Sequence, residues 1–169
     1  MADTVETAAH TVIGTLLSIP LIRAKQNGER PVLPYATYQV FARTTQGRDE
    51  FAFVEDNGIG VLHGVRQGTV SVSVFGGNCQ EICDDLVNAT RKPTARWLMR
   101  QNDFVIYNTD GVRDLTDLRD EARFEPMAVV DFTFRYTAEY KDDVGIIETV
   151  DTSVSTVGDV DASQIIHLN

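Results

Sequence analysis

Lysine is nearly missing from this chain. Lys25, Lys92 and Lys141 are the only three in 169 residues, and arginine carries most of the positive charge. The formal net charge is −10. A field of that sign repels phosphate backbones and argues against free nucleic acid as a bound partner. Cysteine is equally scarce. Cys79 and Cys83 are spaced CxxxC, which is neither the CxxC of redox motifs nor a zinc spacing, and a reducing compartment accounts for them most simply. Three histidines, His10, His63 and His167, stand apart with no metal-ligand spacing. There is no GxSxG elbow from which Ser/His/Asp chemistry could start. The one long apolar run, Val12–Ile22, is interrupted by Gly14, Thr15, Ser18 and Pro20 and is too short to span a bilayer. The N-terminal stretch does not read as a targeting signal, since Asp3 and Glu6 precede the first basic residue, Arg23.

What is present is ordinary globular material: 43% hydrophobic and 24% charged residues, at a length that fits one domain. Such a chain can bury about 70% of its unfolded surface, enough for a core without staples. No internal repeat or low-complexity tract stands out.

Periodicity places the elements. Val5, Ala8, Ala9, Val12, Ile13, Leu16 and Leu17 fall on one helical face, which predicts a helix over 4–18 with Asp3 as N-cap, Glu6 closing a capping box, and Pro20 as terminator. Residues 23–34 read as a polar connector. Strands are predicted over Tyr35–Arg43, Phe51–Val54 and Ile59–Leu62, with Asp56-Asn57-Gly58 as a tight hairpin turn. Gly68–Phe75 alternates strictly, with Val70, Val72 and Val74 on one face, as a half-buried antiparallel strand does. Asn78 and Glu81 form a second capping box ahead of a helix, and Pro93 opens a shorter one over Thr94–Arg100. Asp103–Tyr107 and Ala128–Tyr140 are strands, with Val130, Phe132, Phe134 and Tyr136 sharing one face of the second; Ile146–Thr149 can pair back. This order is not βαβ alternation. It predicts an α+β fold: a largely antiparallel β-sheet with two or three helices packed on one face, a single domain over residues 1–150, and an extended C-terminal arm over 151–169.

Few side chains are candidates for chemistry. The glycines of Gly58–Gly64, GIGVLHG, superficially resemble a phosphate loop, but a strand pattern follows them where a helix N-terminus would be needed. Cys79 and Cys83 sit one helical turn apart beside Glu81, Asp84 and Asp85, which disfavours a thiolate, so both are expected to be buried and inert. Glu55, Asp56, Asp142 and Asp143 lack EF-hand spacing and read as solvated turns. Trp97 is expected to pack the second helical region onto the sheet, with an interface role as the alternative. No catalytic, cofactor-binding or metal-binding residue is nominated.

The densest feature is charged. Arg113, Asp114, Asp117, Arg119, Asp120, Glu121, Arg123 and Glu125 crowd one short segment that turns directly into the aromatic strand. Two readings stand. The segment is a solvated loop with ion pairs worth about 0–1 kcal/mol each. Alternatively it is an intersubunit latch, in which arginine forks meet carboxylates across a symmetric contact.

Several stretches together, PYATYQV, VSVSVFG before the cysteine-bearing helix, RDLTDLRDEARFEP, VDFTFRY and GIIETV, resemble the neck or tail terminator proteins of tailed bacteriophages. The resemblance runs over roughly Leu33–Val150. It implies a small α+β subunit and a homo-oligomeric ring, usually a hexamer, at the top of the tail in the virion. Such a ring caps the tail tube protein and joins it to the head-tail connector or adaptor, with sheath or collar proteins as further neighbours. DNA transits the lumen without specific binding, and the acidic net charge fits that. The resemblance brings no enzyme activity, cofactor or membrane, and it places assembly in the host cytoplasm. A minor tail, baseplate or head-completion protein is the near alternative. A small-molecule-binding or hydrolytic domain is the distant one, because no convergent polar groups can be named for it.

Overall fold

Apolar side chains at helical spacing set the first element, α1 (Thr4–Leu16), which buries Val5, Ala9, Val12 and Ile13. It ends slightly before the expected boundary, although Leu17 still donates its N–H to the Ile13 carbonyl at 3.0 Å. The computed structural model describes residues 4–55, 58–120, 123–145, 149–154 and 162–167. The expected N-cap Asp3, the turn residues Asp56 and Asn57, and most of the return strand expected at Ile146–Thr149 lie outside them.

The remaining elements are β1 (Leu21–Arg23), β2 (Tyr35–Thr45), β3 (Glu50–Val54), β4 (Ile59–Phe75), α2 (Cys79–Thr90), α3 (Pro93–Gln101), β5 (Phe104–Thr109), β6 (Arg113–Asp114), β7 (Asp117–Asp120), β8 (Arg123–Glu125), β9 (Met127–Asp143), β10 (Thr149–Val154) and β11 (Ala162–His167). The fold is α+β with a mixed, mostly antiparallel sheet. The chain divides into two units, Met1–Asp49 with Gly64–Ala138, and Glu50–His63 with Glu139–Asn169.

The first unit holds the three helices and the strand order β1-β2-β4-β9-β5, with β6 on β9. β1 runs parallel to β2, while β2 on β4, β5 on β9 and β6 on β9 are antiparallel. Period-2 alternation builds its core. Val70, Val72 and Val74 of β4 and Val130, Phe132 and Phe134 of β9 are fully buried, while Ser71, Ser73 and Thr133 between them are half-buried. These side chains join Ile13 of α1, Cys83 and Leu86 of α2, and Met99 of α3 in one cluster. Phe104 stacks on Phe134 with ring centroids 4.3 Å apart.

Three local readings needed correction, those of β1, β4 and the Asn78 cap. β1 was not foreseen, because three residues carry too little alternation to read. β4 is one strand where two were expected. Gly68 does not interrupt it but pairs with Arg43, and the close approach there requires glycine, since a Cβ would lie 2.5 Å from Phe134 Cζ and 2.6 Å from the Ala42 carbonyl oxygen. A register shift in β2 between Val40 and Ala42 turns Phe41 outward, 56% exposed. Asn78 makes no side-chain cap hydrogen bond, because at φ −108° and ψ 30° its backbone is outside the extended region that aims a cap at the helix.

The second unit is built differently. β3 pairs antiparallel with the first residues of β4, Glu50 opposite His63 and Val54 opposite Gly60, and all five of its residues are exposed. Gly58, at φ 81°, receives the Val144 N–H on its carbonyl at 3.1 Å. β10, which begins just before the segment 151–169 read as an arm, pairs antiparallel with β11 inside it, Thr149 opposite His167 and Val154 opposite Ala162.

Candidate assembly surface

The charged segment is strand rather than loop, and its described residues Arg113–Thr116 are exposed, as the solvated reading has them. It forms three short strands: β6 on β9, and β7 paired antiparallel with β8, Asp117 opposite Glu125 and Leu118 opposite Phe124. A two-stranded ribbon satisfies its own backbone hydrogen bonds and lets side chains alternate between its faces, so a dense run of charge is compatible with strand.

Three of the nominated side chains are engaged within the chain. Arg113 forms an ion pair with Asp131 of β9. Asp114 accepts hydrogen bonds from the Thr116 hydroxyl at 2.6 Å, the Thr116 N–H at 2.8 Å and the Gln80 amide at 2.8 Å. Those from Thr116 do most to hold its carboxyl below the ordinary aspartate range. Glu125 receives Arg30 at 3.2 Å, whose guanidinium also lies 5.9 Å from the centre of the Phe75 ring. Asp117, Arg119, Asp120 and Arg123 lie on β7 and β8, but their side chains, and all of Glu121, are outside the described residues. Phe124, between them, is 73% exposed.

The other candidates resolve as follows. Gly58–Gly64 leads into β4, a strand, so no helix N-terminus faces those glycines. Cys79 and Cys83 are free thiols buried on α2, and burial, reinforced by Cys79 and Asp84, pushes Cys83 up to about 12. His10 tilts against Tyr38 with centroids 5.6 Å apart, and His63 Nε2 lies 3.4 Å from Glu139. Glu55 pairs with Lys141 at 2.6 Å. Among the described residues no group of three or more His, Cys, Asp or Glu could hold a metal ion, and no helix is long and apolar enough to cross a membrane. Trp97 is a correction: it is 63% exposed, because the inner face of α3 is taken by Ala95 and Met99.

Two surface features escaped the sequence reading. Phe51 and Phe53 of β3 are each more than half exposed. A concavity of about 450 Å³ is lined by Arg91, Arg96 and Arg100 together with β5. A spacing rule finds neither, since the first depends on what covers β3 and the second joins α2, α3 and β5.

A family model described as phage neck terminator protein matches residues 3–160. It therefore takes in α1, upstream of the resembling stretches, and reaches past β10 into the terminal segment. No curated protein matches the sequence. With nearly the whole chain matched, this protein belongs to the phage neck terminator family and is a structural component of the virion neck.

Proposed function

We propose that this subunit closes into a homo-oligomeric ring, hexameric as the family resemblance implies, that caps the tail tube and joins it to the head connector while DNA passes through the lumen. The observation that carries the reading, beyond family membership, is the apolar surface left on β3. Phe51 is 55%, Phe53 52% and Val54 43% exposed on one short strand. Exposed apolar side chains grouped in this way mark surfaces that become covered by a partner. An isolated subunit would leave them in water, and a ring buries them.

The charged segment Arg113–Glu125 contributes the polar part of the subunit contact. Arg119 and Arg123 meet a neighbour's carboxylates there, and residues 151–169 reach a neighbouring sheet edge as an arm. Light scattering after size exclusion, with negative-stain images of the high-mass fraction, tests the ring. A closed particle with a central hole is expected. A monomer at every concentration, both alone and with tail tubes added, overturns it. Reversing Arg119 and Arg123 together to Glu abolishes assembly if the segment is a latch, and an intact ring in that variant removes the latch while leaving the ring.

A further inference from the structure

Five arginines of the first unit form ion pairs: Arg23 at 2.5 Å and Arg43 at 3.5 Å with Glu6, Arg66 with Asp49 at 2.7 Å, Arg30 with Glu125, and Arg113 with Asp131. Exposed Arg48 has no such pair among the described residues, but it lines no cavity with the others. Arg91, Arg96 and Arg100 differ: among the described residues none of them makes an ion pair or a side-chain hydrogen bond. All three are exposed, and all three line the same concavity of about 450 Å³. Arg91 follows the end of α2, and Arg96 and Arg100 lie one turn apart on α3. Across from them stands β5, with Val105 and Ile106 as apolar lining and Tyr107 47% exposed. A fourth guanidinium, that of Arg135, lies 4.6 Å from the centre of the Tyr107 ring.

Three guanidinium groups around one cavity without an ion pair among the described residues are unexpected in a chain of net charge −10. The C-terminal ends of α2 and α3 offset only about half a charge each, against three full charges. Three guanidinium groups facing an apolar wall have the chemistry that suits carboxylates attached to an apolar group. It is a poor fit to duplex DNA, because the long-range field of the chain is repulsive to phosphate and the lining is partly apolar.

The chain itself supplies a ligand of that chemistry. Residues 139–169 hold seven acids against one lysine, and so carry most of the net negative charge. At the end of β9, Asp142 and Asp143 are exposed, and Val144 beside them is 49% exposed. Val144 suits the Val105–Ile106 lining, and the two carboxylates suit the arginine forks.

We propose that the arginine-lined cavity beside α3 and β5 receives the acidic end of β9, Asp142–Val144, from a second copy of this chain. The contact is heterologous, cavity to acidic end, the kind of contact that builds a ring when the rotation between copies divides a full turn. The inference rests on the ring reading and names the charge contact within it.

The test is sedimentation velocity on the natural chain, R96E/R100E, D142R/D143R, an equimolar mixture of these two variants, and R96Q/R100Q. Each variant alone should lose self-association by about a hundredfold, as losing hydrogen-bonded charge partners does. The mixture should recover it, because each reversed cavity then meets a reversed end and each natural cavity meets a natural end. Recovery also shows that both variants fold. R96Q/R100Q, which only neutralises the cavity, should weaken assembly less. Rings that form undiminished from either variant alone overturn this inference and leave the ring standing. Failure of the mixture to recover also overturns it, as does loss of duplex DNA binding by R96E/R100E with assembly unchanged. A natural chain that never associates, alone or with tail tubes, takes down both readings.

Discussion

The two units of this chain use the same strand chemistry to opposite ends. In the first, alternation puts Val70, Val72, Val74, Phe132 and Phe134 into a closed core, and their burial stabilises the unit without help. In the second, the same kind of strand, β3, leaves all five residues exposed, and Val61 is the one large apolar side chain fully buried among its described residues. A subunit that carries its own core in one unit and unfinished apolar surface in the other can fold first and assemble afterwards. The comparison teaches that the polarity of a strand is not by itself evidence of where its core lies. An apolar side chain can be reserved for a partner.

That contrast can be broken at the core. Phe104→Ala empties a fully buried position stacked on Phe134, and should cost about 3–5 kcal/mol in urea denaturation. A loss below about 1 kcal/mol would mean that the first unit is not self-sufficient. Gly68→Ala should cost about 1–3 kcal/mol, because its Cβ meets the Ala42 carbonyl oxygen as well as the Phe134 ring, and backbone cannot swing aside.

The buried thiol gives a pH-dependent version of the same test. Cys83 is held protonated in the folded state, with its pKa raised by burial to about 12. Its contribution to stability is therefore complete below the ordinary thiol range and is lost as pH rises from that range toward about 12. Denaturation curves at neutral and alkaline pH should show this decline, and Cys83→Ala should flatten it. In the native chain iodoacetamide should modify Cys83 only as fast as the first unit opens.

The smallest effect on the fold is expected in the second unit. Phe51→Ser with Phe53→Ser should destabilise the isolated subunit by only about 1–2 kcal/mol, since each ring is a little more than half exposed. The same variant should fail to assemble by light scattering. Strong destabilisation of the subunit would show instead that β3 belongs to a self-contained core, and would remove the contrast.

Much of the fold was legible because its signals are local. The helical face of α1, the Val70–Val72–Val74 alternation, the proline that opens α3 and the aromatic face of β9 are each written within a few residues. The misses have different causes. β1 is too short to show a period and Asn78 has the wrong backbone angles for a cap, whereas the outward Trp97 depends on the surface that Ala95 and Met99 have already taken. Of the charged segment, spacing could show its density. It could not show that Arg113 is taken by Asp131, Asp114 by Gln80 and Thr116, and Glu125 by Arg30, residues up to 95 positions away along the chain.

By itself, then, the sequence determined the α+β class, the faces that become core and the family to which the chain belongs, because periodicity and motif are properties of neighbouring residues. Only the tertiary structure decided which charges are already satisfied and which remain open. It brought Arg91, Arg96 and Arg100 to one cavity against β5 while Arg23, Arg30, Arg66 and Arg113 found acidic partners, and it left Phe51 and Phe53 more than half exposed. Pairing and exposure are fixed by contacts between residues far apart in the chain, and no spacing rule carries that information.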